Sequence, residues 1–209
     1  MKKEKISLFL NWFIVLLTIL SFVFMFLGIE FMGKSKLLVS TNIGVFKYFT
    51  VDSNLFVGIS SLIYLLSKNK KSKIVSILKL SSTTSITITF LVTLLFLAPF
   101  NTYPFIEFYK NSNLFFHFLI PVCSIITFLF FDGCSKVLRK DLLWNLIPML
   151  LYFIYYATNI IIHIENNVVS KDYDFYGFFK IGILSFFLVI PFMFGLTYLI
   201  GFFYNKKLT

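Results

Sequence analysis

The chain has 209 residues, of which 58% are hydrophobic and only 13% are charged, and 30 are phenylalanine. A soluble domain of this length could not bury so much apolar surface in one core, so the composition excludes a water-soluble globular protein. The net charge of +10 does not point to nucleic acid, because the lysines fall mainly in alternate connections between apolar segments.

Six apolar segments follow one another along the chain, and each is long enough to cross a hydrocarbon core of about 30 Å, which takes roughly 20 helical residues. Only helices satisfy every backbone polar group of such a segment in lipid, so we predict an all-α bundle of six antiparallel transmembrane helices, forming one domain over residues 1–209. The predicted spans are residues 6–29, 46–66, 76–100, 113–132, 142–164 and 178–204. The first follows a basic start, but its apolar run is too long for a signal peptide, so we expect it to be retained.

The charges on the connections predict the orientation of the bundle. Thirteen of the 19 Lys and Arg residues, including Lys79, fall on the side that carries both termini, and six fall on the opposite side. Positively charged residues accumulate on cytoplasmic loops, so both termini are predicted to be cytoplasmic. The acidic residues run the other way, with only Glu4, Asp132 and Asp141 on the side of the termini.

The second span opens with polar residues inside "KYFTVDSNLF", positions 47–56. Thr50 and Asn54 are four residues apart and share one helix face, with Ser53 beside them, whereas Asp52 points roughly opposite. Hydroxyls within spans most often bond their own backbone, and an interfacial carboxylate often reaches toward lipid head groups. We therefore leave two roles open for Asp52, which either orients a neighbouring histidine or is merely interfacial.

Polar residues of two further spans are predicted to reach the same depth. His117 lies just inside the fourth span, after Asn113 of the predicted helix cap "NSN". The fifth span runs toward this side, so Asn159 and His163, again four residues apart, end near it. Three spans begin here, and their positive dipole ends favour a bound anion or the oxyanion of acyl transfer.

These residue types predict a nucleophile and its base. A neutral imidazole of His117 beside the Thr50 hydroxyl would activate that hydroxyl as a nucleophile. Asn54, Asn113 and Asn159 are candidate donors to an oxyanion, although Asn54 is equally suited to a structural bond with a neighbouring helix.

The order of these features resembles the androgen-induced-gene family of integral membrane proteins, including its bacterial relatives. The resemblance covers nearly the whole chain and rests on "KYFTVDSNLFVGISSLIYLL" and "NLFFHFLIPV", and more weakly on "IYYATN" and "DYDFYGF". Animal members are described as threonine hydrolases of fatty acid esters of hydroxy fatty acids. The resemblance implies Thr50 as the nucleophile, His117 as its partner, a lipid or fatty acyl ester as the substrate, and a bacterial plasma membrane as the location.

Three functions stay open at this point: a lipid ester hydrolase, a small transporter or binding protein for an anionic amphiphile, and a non-catalytic scaffold. Inverted repeats and helices broken at the midplane, which are typical of transporters, are not visible in the sequence. Transport would also need a polar route to the cytoplasmic side, where mainly the hydroxyls of the third span are expected. Membrane lipids are the predicted surroundings; no cofactor, metal site or nucleic-acid partner is expected.

Overall fold

The computed structural model describes residues 2–35, 37, 42–100, 102–165, 168–170, 172–179 and 183–208, with the backbone alone at 183, 185 and 186. Over these residues the chain is helical, without strands apart from one isolated bridge between Glu165 and Val168. Six helices are long and apolar enough to cross a membrane, which confirms the predicted all-α class. They are α1 Lys2–Phe26, α2 Phe49–Leu66, α3 Lys73–Phe100, α4 Ser112–Phe130, α5 Arg139–Ile162 and α6 Ile183–Lys207.

Local signals account for several helix ends. The Ser72 side chain accepts the Val75 amide and begins α3, as expected of an N-cap serine. Gly28 follows α1 with a φ of 63°, a left-handed conformation in which glycine meets no steric penalty. At the end of α2, the Lys70 ammonium donates to the carbonyls of Leu65 and Ser67, which have no partner within the helix.

The helices alternate in direction, so the bundle has two ends. At one end, the terminal face, Ser7 near the start of α1 meets Asp132 just after α4. At the other end, the loop face, the Asn111 side chain accepts the Met32 amide between two connections. The described residues of the connections around 27–48, 101–111 and 163–182 belong to the loop face. Three lysines that the charge pattern placed there lie outside the described residues: Lys36, Lys171 and Lys180.

Helix α3 is the centre of the bundle and contacts α2, α4, α5 and α6. Its residues from Leu80 to Thr89 are all buried, and most of them are serine or threonine. Small hydroxyl side chains let helices approach closely and bond across the interface. The hydroxyls of Ser60 and Ser82 are 2.6 Å apart, and those of Ser53 and Thr89 are 2.8 Å apart.

Two helical turns near the loop face have π-helical hydrogen bonds. In α3 the Ala98 amide bonds the Thr93 carbonyl, and in α4 the Ile120 amide bonds the Phe115 carbonyl. Single π-helical turns insert one residue into a helix and occur frequently at functional sites. The turn in α4, Phe115–Leu119, contains His117.

Candidate functional site

Thr50 lies at the loop-face end of α2, on an apolar cavity of about 440 Å³. We call this space the first cavity. It is bounded by α2, α3, α5, α6 and the connection before α6. Its walls are mainly aliphatic and aromatic side chains, with the residues Thr50, Thr89 and Thr93 among them. The π-helical turn of α3 forms part of the wall through Thr93, Leu95, Phe96 and Leu97. A cavity of this size and character suits an acyl chain.

The Thr50 hydroxyl has a tyrosine as its neighbour. Residues 172–179, which we call the tyrosine loop, bring Tyr176 over the start of α2, where its hydroxyl accepts the Phe49 amide at 3.1 Å. The same hydroxyl is within hydrogen-bonding reach of the side chains of Thr50 and Tyr152. Burial raises the pKa of Tyr176 to about 12, against the opposing effect of these hydrogen bonds. Tyr176 is therefore a neutral phenol at physiological pH and can accept or donate beside Thr50.

His117 is buried, and one of its ring nitrogens is held by the backbone. Nδ1 lies 2.7 Å from the carbonyl oxygen of Phe108. A carbonyl oxygen only accepts, so Nδ1 carries the proton and Nε2 carries the lone pair. The rings of Phe108 and Tyr109 lie against the imidazole, each with its centroid 6.4 Å away. This arrangement fixes the tautomer that a general base needs, with the Phe108 carbonyl in the orienting role.

Asn54 connects the two candidate catalytic residues through their backbones. Its amide nitrogen donates to the Thr50 carbonyl at 2.7 Å and to the Phe116 carbonyl at 3.0 Å. The Phe116 carbonyl is accessible because Pro121, five residues later in a π-helical turn, has no amide hydrogen to bond it. Since both amide hydrogens are used, Asn54 has here the structural role of joining α2 to α4.

Asn54 joins the backbones near Thr50 and His117, but no hydrogen bond between their side chains is found in the part of the chain that the structure describes. The Thr50 hydroxyl faces Tyr176, whereas the His117 ring faces Phe108 and Tyr109. His117 is not among the described residues that form the first cavity. The π-helical turn and the connecting Asn54 nevertheless place both residues in one layer of the bundle near the loop face.

Asp52 points away from this pair. It contributes to a second cavity, on the side of α2 that faces α5, together with Ser53 and Tyr155. Contacts between Asp52 and His117 are not found among the described residues. The structure therefore gives no support to the first role left open for Asp52, which was to orient His117.

The remaining predicted site residues fix loops of the loop face. Asn113 donates to the Leu37 carbonyl at 3.5 Å. His163 directly follows α5, where Nδ1 lies 2.8 Å from the Asn159 carbonyl and the ring stacks on Tyr173 at 3.5 Å between centroids. Asn159 in turn donates to the Tyr173 carbonyl at 3.2 Å. Asn159 and His163 thus hold the tyrosine loop and touch the candidate site only through it.

A second polar centre, not predicted from the sequence, lies near the terminal face. Lys79 of α3 is completely buried, and its ammonium nitrogen is 3.2 Å from Asp132 Oδ2 and 2.8 Å from Asn11 Oδ1. Asp132 Oδ1 accepts hydrogen bonds from Ser7 and Asn11. The only sequence signal was a lysine two residues before the serine-rich stretch of α3.

This ion pair corrects two expectations. Lys79 was counted among the 13 positive charges on the side of the termini that predict orientation, but its side chain lies inside the bundle and is neutralised by Asp132. The polar residues of this half were expected to be mainly the hydroxyls of α3. The half in fact holds a buried ion pair, together with Asn11 and Ser61.

No family model matches the chain, and comparisons with curated proteins and with solved structures give no significant match either.

Proposed function

We propose that this protein is a membrane-embedded hydrolase of lipid acyl esters, with Thr50 as the nucleophile and His117 as the base. The observation that carries the proposal is the first cavity, an apolar space of about 440 Å³ that the Thr50 residue borders. Burying an acyl chain there would contribute about 0.8 kcal/mol per methylene to binding. The ester carbonyl would then lie near the mouth of the cavity, at the level of Thr50 and Tyr176.

The reaction would proceed in two steps through an acyl-enzyme. The Thr50 oxygen attacks the ester carbonyl carbon while its proton passes to His117 Nε2, and the alcohol leaves with that proton. Water, deprotonated by His117, then attacks the acyl-threonine, and the fatty acid leaves as Thr50 regains its proton. The tautomer imposed by the Phe108 carbonyl is the one that leaves Nε2 free for both transfers.

His117 must come within hydrogen-bonding reach of Thr50, directly or through one water, for this chemistry to proceed. Catalytic hydrogen bonds are often long or misaligned in proteins without substrate and tighten when it binds. The π-helical turn around His117 is a local irregularity of the kind found at functional sites, and Asn54 holds that turn against the start of α2.

A lipophilic fluorophosphonate probe tests the nucleophile. The wild-type protein and Thr50→Ser should be labelled covalently at position 50, whereas Thr50→Ala should not be labelled. Thr93→Ala is the matched control, because it removes another hydroxyl from the same cavity and should leave labelling intact. His117→Ala should reduce labelling at least tenfold, and His163→Ala should not. Folded protein without an adduct at Thr50, with any acyl-mimicking probe, would disprove the hydrolase proposal.

The different partners of the Thr50 hydroxyl and the His117 ring favour a second candidate, a binding protein or transporter for an anionic amphiphile. In that case the loop-face layer binds a carboxylate or phosphate without covalent chemistry. The two candidates differ in how substitutions combine. Residues of one catalytic unit give a Thr50→Ala/His117→Ala double variant no less active than either single variant. Independent losses of ligand affinity that add up would identify two separate binding contacts instead.

We further propose that the six helices span a bacterial plasma membrane with both termini in the cytoplasm, as the surplus of positive charge at the terminal face supports. Single cysteines test this in a background where Cys123 and Cys134 are replaced by alanine. Cysteine at Ile43 or Ile106, which are exposed on the loop face, should react with an impermeant maleimide in intact cells. Cysteine at Leu138, exposed on the terminal face, should react only after lysis. The reverse pattern would overturn the orientation.

A further inference from the structure

The second cavity has an unusual chemical lining. It occupies about 630 Å³ between α2, α3 and α5. Among the described residues of its wall, the only charged one is Asp52. Five others are aromatic: Phe46, Phe49, Phe56, Tyr152 and Tyr155. The rings of Phe49 and Tyr152, 5.1 Å apart between centroids, also border the first cavity and so separate the two spaces.

Among the residues that the structure describes, no ion pair joins a cation of the protein to the Asp52 carboxylate. The nearest lysine in sequence, Lys47, points its ammonium at the rings of Tyr48 and Phe175, 5.4 Å from each centroid. Ser53, the neighbouring hydroxyl of the cavity, is already bonded to Thr89 and to the Thr50 carbonyl. Within the described part of the chain, the carboxylate in the wall of this aromatic cavity thus has no countercharge.

We propose that the second cavity binds an amphiphile with an ammonium head group and a single apolar chain. A carboxylate supplies the countercharge, and aromatic faces attract ammonium groups, quaternary ones above all, through their negative π-surfaces. The positive end of the α2 dipole stabilises a carboxylate at position 52 whatever it binds, so the aromatic lining rather than the charge by itself carries the assignment. This site is distinct from the one at Thr50 and does not depend on the proposed hydrolase activity.

The shape of the cavity accommodates the chain of such a ligand. The cavity extends from Asp52 to Leu78 and Ile147, which lie toward the terminal face. Ser53 is level with Thr89, and Leu78 precedes Thr89 by eleven residues, which corresponds to about 16 Å along the helix. The inner part is lined mainly by aliphatic residues, with Leu151 partly open to the surroundings of the bundle. A chain can therefore enter sideways between helices.

Binding of dodecyltrimethylammonium to the purified full-length protein in neutral maltoside micelles tests the proposal, measured by isothermal titration calorimetry. We expect Asp52→Asn to weaken binding at least tenfold, whereas Asp172→Asn, which neutralises an exposed carboxylate of the tyrosine loop, should leave it unchanged. Dodecyl sulfate, with the same chain and the opposite charge, should not bind at this site. Equal affinities of the wild type and Asp52→Asn for the ammonium probe would overturn the proposal.

A second pair of variants keeps the test decisive if Asp52→Asn does not fold. Tyr155 is 47% exposed, so Tyr155→Leu should fold and should weaken binding of the trimethylammonium probe severalfold by removing one aromatic face. Tyr198→Leu is the matched control, because Tyr198 is a similarly exposed tyrosine of α6 that is not part of the cavity. Equal effects of the two tyrosine variants would refute the site, and a loss confined to Tyr155→Leu would support it. Undiminished Thr50 labelling in Asp52→Asn would show that the two sites act separately.

Discussion

The buried ion pair of Lys79 and Asp132 makes a prediction with a calculable size. Removing one partner leaves the other as an uncompensated buried charge, which costs about 3–5 kcal/mol. We therefore expect Lys79→Met and Asp132→Asn each to lower the free energy of unfolding by about that amount. Asp132→Asn keeps an oxygen to accept from Ser7 and Asn11, so its effect reports the charge rather than those hydrogen bonds. The double variant should be no less stable than the less stable of the two single variants, because it has no unpaired buried charge at this site.

Thermal unfolding in detergent micelles, followed by circular dichroism, is the assay. For a chain of this length 1 kcal/mol corresponds to about 2–4 °C in Tm, so each single variant should melt at least about 6 °C lower. Lys73→Met is the matched control: Lys73 pairs with Asp141 at 2.8 Å, but its side chain is 60% exposed. The Asp141 side chain is 8% exposed, but the Lys73 ammonium stays hydrated, so we expect this half-exposed pair to contribute only about 1 kcal/mol, less than the fully buried pair. Single variants within 1 kcal/mol of the wild type, or losses that add up in the double variant, would refute the reasoning.

Three smaller predictions follow from other contacts. Asn54→Leu should cost about 1–3 kcal/mol in calorimetric unfolding, because it leaves the buried Phe116 carbonyl without its partner, and wild-type stability would contradict this. Gly58→Ala should cost about 1–3 kcal/mol, since its new Cβ would lie 2.7 Å from Thr18, and Thr18→Ala should restore stability if the clash is the cause. The pKa of Tyr176 is raised to about 12 in the folded protein, from about 10. The protonated Tyr176 side chain therefore contributes its full stability below pH 10, and this contribution is lost as the pH rises toward 12. Tyr176→Phe should flatten this alkaline decline in a series of melting curves at different pH.

The sequence by itself determined the class of the fold. It also determined which candidate residues of one helix share a face. Hydropathy identifies helices of membrane length directly, because about 20 consecutive residues of a span are predominantly apolar and each adds to the preference for lipid over water. The spacing of Thr50 and Asn54 fixed their common helix face, and Asn54 does use that face to join α2 to a neighbouring helix. Helix periodicity alone also predicted that Asp52 would point to the other side of α2, where the second cavity lies.

Only the tertiary structure decided which residues meet across helices. Lys79 and Asp132 are 53 positions apart, and a lysine near a helix end is indistinguishable in sequence from an exposed charge. Tyr176 reaches Thr50 only because the tyrosine loop folds over the start of α2, and loop paths have no periodic sequence signal. The π-helical turn that contains His117 accepts a hydrogen bond from Asn54 of another helix, and this contact has no signal in the sequence of α4. Local propensity predicts helices, whereas the contacts that make sites come from long-range packing that no single segment encodes.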